Sequence, residues 1–275
     1  MRWRDPFPAE FPSAPTVIIG NFDGVHRGHH YLLNRARAVG APLVALTFEP
    51  HPRTVLNPAS APFRLTSHAA KRQGLLDAGA DLVFTLDFNA ELAAMSAEAF
   101  VDRILVGTIG ARTVVIGEDY RFGQGRKGDR HLLRRLGTAA GFDVLALPAA
   151  MDGEGHRFSS SLVRERIAHG RLDEAAYLLG RRWAIAGTAR PIQGGAVAVG
   201  FDSHVRPAAG YYAVEVRRNG SAAGDGIAFV GAGADCLVLL GEQQAGAIEV
   251  SFGRRLDAGD QAISLGRIEN FSACL

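Results

Sequence analysis

The sequence predicts an α/β domain with a doubly wound parallel sheet, followed by a small antiparallel β-barrel domain. Three observations lead to this fold class. Short apolar runs rich in Val, Ile and Leu alternate with helix-patterned segments in residues 1–186. The rest of the chain carries short strand-like pieces separated by turns. Glycine density also changes there, since 18 of the 33 glycines lie in residues 1–186 and 15 in the last 89. We therefore predict two domains, 1–186 and 187–275.

The first domain is predicted to hold five strands buried on both faces, as strands of a parallel sheet are. These strands are Thr16–Gly20, Leu43–Phe48, Leu82–Leu86, Thr113–Gly117 and Phe142–Leu147. The predicted helices are Gly28–Val39, Ser67–Ala78, Ser96–Val106, Lys127–Ala140, Ser160–His169 and Leu172–Leu179. Ligands of such sheets bind at the carboxyl ends of the strands, so the residues after each run are the first site candidates.

Six strand-like pieces are predicted in the second domain. They are Trp183–Ala186, Gly195–Val199, Tyr211–Val216, Gly226–Val230, Cys236–Leu240 and Ala247–Phe252. The Asn219-Gly220 pair between two of them is typical of a tight hairpin turn. Pieces of this length with such turns favour a small antiparallel barrel.

Composition excludes several classes of protein. No apolar run approaches the ~20 residues that span a bilayer, and the amino-terminal stretch lacks the apolar core of a signal peptide. We therefore expect a cytoplasmic protein without a membrane partner. A formal charge of +2 gives no reason to expect a nucleic-acid partner. The two cysteines, Cys236 and Cys274, exclude a disulfide scaffold and a cysteine-based zinc site.

A phosphate site is predicted directly after the first strand. Gly20 and Gly24 allow the backbone to approach a ligand closely. The helix that begins near Gly28 offers free N–H groups and the positive end of its dipole. His26 and His29, three residues apart, can both face the ligand and stabilise charge on phosphate oxygens during in-line transfer.

Two other interpretations of the histidines remain open. The pair could bind a metal ion, although no third ligand is evident in the sequence. The histidines could also be incidental to a capped turn. Neither interpretation accounts for the glycines together with the strand-to-helix position.

The segment GNFDGVHRGH, from Gly20 to His29, resembles the signature of nucleotidyltransferases with a His-x-Gly-His motif, in the form found in bacterial FAD synthetases. Four further segments are similar to motifs of that family. They are Phe48–Arg53 (FEPHPR), Gly117–Asp129 (GEDYRFGQGRKGD), Ser159–Arg164 (SSSLVR) and Gly170–Arg181 (GRLDEAAYLLGR). The resemblance covers residues 15–187.

The resemblance implies a Rossmann-like nucleotidyltransferase domain and a reaction between FMN and MgATP that gives FAD and pyrophosphate. FMN and ATP are then the substrates, FAD is the product, and Mg²⁺ enters with ATP, without metal ligands assigned in the chain. The flavin phosphate attacks the α-phosphate in line, with no covalent enzyme intermediate.

The resemblance also assigns site residues. The catalytic group is His26, His29 and Arg164, and the nucleotide-binding group is Gly20, Phe22, Asp23, Gly24, Ser159 and Ser160. The flavin-binding group is His51, Asp119, Phe122 and Arg126. Two plainer interpretations stay open, namely a proline-stiffened turn at His51 and a polar loop at Gly117–Asp129. The arginines of that loop favour a mobile segment that closes over an anionic ligand.

The second domain resembles a degenerate riboflavin kinase module. That module carries the motif GRxLGxPTAN, whose Thr and Asn serve Mg-nucleotide binding, whereas the nearest stretch here, Gly200–Val205 (GFDSHV), has none of Pro, Thr and Asn. We therefore predict that the barrel has no kinase activity. It could instead cover the flavin site, act as a flavin sensor, hold subunits of a homo-oligomer together, or remain a structural module.

Two alternatives to an FMN adenylyltransferase remain. The chain could be a non-catalytic flavin- or nucleotide-binding regulator, or a nucleotidyltransferase that acts on another phosphorylated acceptor. The presence of His26, His29 and Arg164 favours an enzyme, because a binding protein has no chemical need for all three. The segments at His51 and Asp119–Asp129 favour FMN, because a smaller acceptor needs no such pair of loops.

Overall fold

The computed structural model describes residues 4, 11–40, 42–192, 195–241 and 244–257. They form two compact units, the first from Met1–Ser60 and His68–Phe158 and the second from Ala61–Ser67 and Ser159–Leu275. Most of the amino-terminal stretch behind the cytoplasmic prediction lies outside the described residues. Residues 258–275 of the predicted barrel domain, which include Cys274, also lie outside them.

The first unit contains a five-stranded sheet. Its strands are β1 (Thr16–Ile19), β2 (Leu43–Glu49), β3 (Leu82–Asp87), β4 (Thr113–Gly117) and β5 (Asp143–Leu147). All neighbouring pairs are parallel, and the order is β3-β2-β1-β4-β5. The five predicted strands are confirmed to within one residue at each end. The order reverses between β1 and β4, so a ligand site is expected at the carboxyl ends of these two strands.

The central strand of this sheet is covered on both faces. Val17 and Ile19 pack in one hydrophobic cluster, whereas Ile18 packs in the cluster on the opposite face. The prediction that all five strands are buried on both faces is wrong for β5. Its Asp143 is exposed and the next three residues are half-buried in this edge strand, which pairs with β4.

The helices of the first unit connect the strands. They are α1 (Arg27–Arg37), α2 (Pro52–Leu56), α3 (His68–Asp77), α4 (Ala90–Ala93), α5 (Ala97–Phe100) and α6 (Arg130–Ala140). A π-helical segment, Val101–Val106, continues α5, and Gln124–Arg126 forms a 3₁₀ turn. The four helices predicted for this part are confirmed. The one-turn helices α2 and α4 are additional, since so few residues show no helical periodicity.

The second unit contains two helices and a closed barrel. The helices are α7 (Ser160–Ala168) and α8 (Leu172–Leu179). The strands are β6 (Trp183–Ile192), β7 (Ala196–Gly200), β8 (Gly210–Arg218), β9 (Ser221–Val230), β10 (Cys236–Leu240) and β11 (Gly246–Leu256). All neighbouring strands are antiparallel, in the order β10-β7-β6-β11-β8-β9. The predicted antiparallel barrel is therefore confirmed.

The predicted hairpin turn joins β8 to β9. Asn219 has a φ of 49° and Gly220 a φ of 79°, and two successive positive values are what a type I′ turn needs. The strand β9 begins at Ser221, earlier than the predicted Gly226. The intervening residues are exposed and lack an apolar pattern, yet they pair with β8 through the hairpin.

Several elements that the sequence assigns to the first domain belong to the same compact unit as the barrel. Residues 61–67, α7 and α8 all belong to the second unit, although the predicted first domain runs to residue 186. A functional boundary after residue 186 stays a prediction. Within the described ranges, no helix has the length and apolar character needed to cross a lipid bilayer.

Candidate active site

The loop between β1 and α1 has a strained backbone. Phe22 and Val25 have φ values of 49° and 42°, and Gly24 has a φ of 88°. Positive φ is rare for a bulky residue and rarer for a β-branched one. Both side chains are nevertheless buried, with 2% of Phe22 and 1% of Val25 exposed. Packing of these side chains holds the loop in a conformation that it would not adopt alone, which is common at ligand sites.

Two glycines of the motif make room for neighbouring rings. A Cβ at Gly20 would lie 3.0 Å from the ring of Phe22. A Cβ at Gly28 would lie 3.0 Å both from Cε1 of His26 and from Cβ of Phe158. A side chain at either position would therefore have to displace a neighbouring side chain by a few tenths of an ångström. The predicted role of Gly20 and Gly24 in nucleotide binding is a separate claim and stays a prediction.

The two histidines of the motif stack on one another at the amino terminus of α1. Their ring centroids lie 3.7 Å apart with an interplanar angle of 22°. His26 is the N-cap residue, and its backbone N–H donates to Nδ1 of His29 over 3.2 Å. Because Nδ1 of His29 accepts this hydrogen bond, its proton is carried on Nε2. His29 can therefore offer an N–H donor to an anion at the helix terminus.

Other residues of the loop differ in exposure. Asp23 is 1% exposed and His26 is 5% exposed, whereas His29 is half-buried. The ring of Phe22 contacts the ring of His29 edge-on, with centroids 5.2 Å apart. The structure thus brings four predicted residues together at the end of β1. The capped-turn interpretation is correct as local geometry, but the histidines take part in it rather than being incidental.

His51 caps the short helix α2. Its Nδ1 accepts a hydrogen bond from the backbone N–H of Arg53 over 3.1 Å, and 8% of the residue is exposed. The proline-stiffened turn is therefore present at this position. The predicted contact of His51 with the flavin stays a prediction.

A buried ion pair lies beside the same segment. Nζ of Lys71, on α3, lies 2.6 Å from Oε1 of Glu49 and donates to the carbonyl oxygen of Phe48 over 3.0 Å. Lys71 is fully buried. The sequence-based list of site residues contains neither Lys71 nor Glu49. The sequence did contain a pattern that indicates Lys71. This residue lies four residues before Leu75, so both side chains are on the same, inward face of the helix.

The loop after β4 is folded back on itself. Phe122 and Gly128 exchange backbone hydrogen bonds of 3.1 and 2.9 Å. Phe122 is 5% exposed, and its ring packs against Phe100 and Tyr120 at centroid distances of 5.8 Å each. Its observed role is to anchor the loop in the core. The predicted flavin contact of Phe122 remains untested by this geometry.

Several charged side chains of this loop are exposed. Asp119 is exposed and forms an ion pair with Arg157 at 2.6 Å. Arg126 is exposed and has a φ of 58°. Burial raises the pKa of the Tyr120 phenol, and the positive charge of Arg126 partly opposes this effect. The loop therefore exposes charged groups of both signs, among them Asp119 and Arg126, beside an aromatic anchor.

Asp129 ends the loop and begins α6. Its carboxylate accepts hydrogen bonds from the backbone N–H groups of Leu132 and His131, over 2.9 and 3.0 Å. These bonds, with the charge of Arg121 at 3.5 Å, hold the pKa of this carboxyl below its ordinary value. The cap fixes where the loop rejoins regular structure.

The remaining predicted residues belong to the second unit. Ser159 is the N-cap of α7, and its Oγ accepts a hydrogen bond from the backbone N–H of Leu162 over 3.1 Å. Ser160 is the first residue of the helix. The Nε–H of Arg164 donates to the carbonyl oxygen of Phe63 over 2.7 Å. Phe63 was missed by the sequence-based prediction because it lies a hundred residues away in the chain.

The metal-site interpretation of the histidine pair requires at least one further protein ligand near the two rings. Across the described residues, no group of three or more His, Cys, Asp or Glu side chains is placed to hold a metal ion.

Comparison with known proteins places the chain among enzymes of flavin metabolism. The family model described as FAD synthetase matches residues 9–162. The bifunctional riboflavin kinase/FMN adenylyltransferase of Escherichia coli (strain K12) is 37% identical over 228 residues, which cover 78% of this chain and 72% of that protein. The protein of the same description from Pseudomonas fluorescens is 42% identical over 177 residues, which cover 62% and 56% of the two chains.

The fold is shared with a solved structure. The crystal structure of a macrolide-efflux protein from Streptococcus pneumoniae superimposes with a TM-score of 0.77 at 24% identity, covering 93% of this chain and 91% of that one. At this identity the likeness concerns the fold alone. Since the family model spans more than half of the chain and contains the β1–α1 motif, the chain belongs to the FAD synthetase family.

Proposed function

We propose that this chain is an FMN adenylyltransferase, which converts FMN and MgATP into FAD and pyrophosphate. A phosphate oxygen of FMN forms a bond to the α-phosphorus of ATP. The bond from that phosphorus to the oxygen that bridges to the β-phosphorus breaks, and pyrophosphate leaves with this oxygen and both electrons. Mg²⁺ enters as part of the MgATP substrate.

The observation that carries this proposal is the stacked pair of His26 and His29 after β1, in a member of the FAD synthetase family. In-line transfer places growing negative charge on the phosphate oxygens and on the leaving group. A donor that is already oriented stabilises this charge without reorganising during the reaction. The hydrogen bond from the backbone N–H of His26 orients the ring of His29, and we assign the donor role to the N–H at its other ring nitrogen, Nε2.

We assign the other nucleotide contacts by position. Gly20, Phe22, Asp23 and Gly24 form the floor under the nucleotide, where the buried side chains of Phe22 and Asp23 leave the backbone to make the contacts. Ser159, Ser160 and Arg164 bind the β- and γ-phosphates. A helix N-terminus and a guanidinium are both suited to a leaving pyrophosphate.

We assign the flavin side to His51, Asp119, Phe122 and Arg126. Two observations support this assignment. Asp119 and Arg126 are exposed on the loop after β4, where a ligand can form polar contacts with both side chains. The aromatic anchor at Phe122 gives that loop a fixed base in the core.

The experiment that tests the function is incubation of the purified chain with MgATP and FMN, followed by separation of FAD and measurement of pyrophosphate. We expect FAD and pyrophosphate in equal amounts. Binding of both substrates without any FAD would instead indicate a non-catalytic regulator. Transfer to other phosphorylated acceptors with FMN left unused would indicate a different nucleotidyltransferase.

We further propose that the barrel has no riboflavin kinase activity. The stretch Gly200–Val205 lacks the Pro, Thr and Asn of the kinase motif. In the second unit, the carbonyl oxygen of Ser203 accepts hydrogen bonds from the backbone N–H groups of Phe63 and Arg64. This turn therefore binds another segment of the same unit. Riboflavin with MgATP should give no FMN in a preparation that converts FMN to FAD, and clear FMN production would overturn this part.

A further inference from the structure

A short segment outside the barrel is bound to one of its turns. In the second unit, the backbone N–H groups of Phe63 and Arg64 donate to the carbonyl oxygen of Ser203 over 3.0 and 2.9 Å. The N–H of Val205 donates in turn to the carbonyl oxygen of Arg64 over 2.9 Å. Residues 63 and 64 therefore run like a short parallel strand beside the turn that follows β7.

A tryptophan of the barrel fixes the next residue of this segment. The indole Nε1–H of Trp183 donates to the carbonyl oxygen of Leu65 over 2.9 Å. Phe63, Leu65 and Trp183 are 6%, 0% and 2% exposed. Backbone bonds and burial thus leave Phe63 little freedom relative to the barrel.

Phe63 contacts Arg164 in two ways. Its carbonyl oxygen accepts from Nε of Arg164 over 2.7 Å. The guanidinium carbon also lies 5.3 Å from the centroid of the Phe63 ring, within the range of a cation–π contact. One bond in the guanidinium plane and one contact across its face restrict both the position and the tilt of the group.

We propose that Phe63 is a positioning residue for Arg164 and that the barrel, through Ser203 and Trp183, holds Phe63 in place for this role. The inference rests on the proposed function, in which Arg164 binds the β- and γ-phosphates of ATP. A guanidinium recognises phosphate oxygens through a planar fork of N–H groups, so its orientation decides the strength of the contact. The barrel then contributes to adenylyl transfer without catalysing a reaction of its own.

The test is steady-state kinetics of FAD formation with full-length variants. Phe63→Leu keeps an apolar side chain but removes the aromatic face. We expect kcat/KM for MgATP to fall about 10-fold, on the scale by which small misplacements of a binding group slow a reaction. The KM for FMN should stay unchanged, because Arg164 is assigned to the leaving phosphates. Phe63→Tyr, which keeps the ring, should restore most of the loss.

A double variant separates positioning from general destabilisation. Arg164→Ala removes the group on which Phe63 acts, so adding Phe63→Leu in that background should cause no further loss of rate. Phe229→Leu is the matched control, because its half-buried ring packs on Tyr211 of the barrel at a centroid distance of 5.0 Å. It should lower the melting temperature without changing kcat/KM for MgATP.

A second variant reports the same link without altering Phe63. Trp183→Phe removes the N–H that bonds to Leu65 and should lower kcat/KM for MgATP only when Arg164 is present. Wild-type kinetics in both Phe63→Leu and Trp183→Phe, or losses that persist in the Arg164→Ala background, would overturn the inference while the function stands. A wild-type chain that forms no FAD would overturn both.

Discussion

Lys71 and Glu49 form an ion pair with both side chains inside the first unit. Nζ of Lys71 lies 2.6 Å from Oε1 of Glu49, and the two side chains are 0% and 6% exposed. The same ammonium donates to the carbonyl oxygen of Phe48. The pair therefore ties α3 to the carboxyl end of β2, two residues before His51.

Removal of the lysine should destabilise the protein strongly. Lys71→Met leaves the Glu49 carboxylate buried without its partner charge, and loss of one member of a buried pair typically costs about 3–5 kcal/mol. We expect a decrease of this size in the free energy of unfolding measured with urea. The double variant Lys71→Met/Glu49→Leu should recover most of it, because no unpaired charge remains.

The matched control is an exposed pair in the same unit. Arg130 and Glu118 lie 3.6 Å apart, with side chains that are 39% and 50% exposed. Arg130→Met should cost at most about 1 kcal/mol, since solvent screens such pairs. Equal costs for Lys71→Met and Arg130→Met would contradict the importance of burial.

This pair shows where prediction from the sequence ends. The strand β2 and the helix α3 are both predicted, because apolar runs and helical spacing are local patterns. Which side chain of α3 meets which residue of β2 depends on packing between elements, which a local pattern does not contain. The bond between Phe63 and Ser203 is another such case, since about 140 residues of chain separate the two.

In the candidate site, too, local patterns are predicted from the sequence and contacts between side chains are not. The motif from Gly20 to His29 is local and lies where the sequence predicts it, at the end of β1. The stacking of His26 and His29 and the tautomer of His29 depend on atomic geometry and were beyond the sequence. The resemblance assigns Phe122 to the flavin side, which stays a prediction, whereas the burial of its ring in the core depends on packing that the motif does not contain.

Substitution of His29 can separate its cap from its proposed catalytic role. His29→Gln keeps an acceptor at the third helical position, where glutamine commonly completes a capping box. The variant should keep its free energy of unfolding within about 0.5 kcal/mol. FAD formation should still fall by about 10²–10³-fold, the usual effect of losing one oriented donor.

The neighbouring histidine provides the control for this test. His30→Ala removes an imidazole from the same turn of α1, and its rate should stay close to that of the wild type. A His29→Gln variant with normal FAD formation would refute the donor role. A rate loss in His30→Ala as large as in His29→Gln would show that the effect is not specific to His29.

Two glycines of the loop after β4 offer a matched pair of substitutions. Gly123 and Gly125 have φ values of 71° and 63°, so alanine is strained at both, by about 1–2 kcal/mol. A Cβ at Gly123 would also lie 2.7 Å from the backbone nitrogen of Ala97, whereas at Gly125 nothing lies closer than 3.9 Å. Gly123→Ala should therefore lower the free energy of unfolding more than Gly125→Ala.

A functional measurement on the same pair tests the loop. Displacement of the loop in Gly123→Ala should raise the KM for FMN, because Asp119 and Arg126, which we assign to the flavin side, lie on this loop. Urea unfolding and FMN titration of both variants check the two expectations. Equal unfolding free energies in the two variants would show that the backbone of Ala97 yields at no cost.

The cap of α6 should make stability depend on pH in the acid range. Hydrogen bonds from Leu132 and His131 lower the pKa of Asp129 in the folded state below its ordinary value of 3.8. A lowered folded pKa means that the stabilisation is present above 3.8 and is lost as the pH falls through the folded value. Asp129→Asn keeps an acceptor for the cap but no charge, so this part of the pH dependence should disappear.

Melting temperatures of the wild type and Asp129→Asn between pH 7 and pH 3 check this expectation. The wild type should be the more stable protein at neutral pH, and the difference should shrink as the carboxylate takes up its proton. Thr138→Ala, on the exposed part of the same helix, removes an uncharged hydroxyl that donates to the carbonyl oxygen of Arg134. Its effect should be the same at every pH. A constant difference for Asp129→Asn as well would mean that the charge of Asp129 adds nothing to the cap.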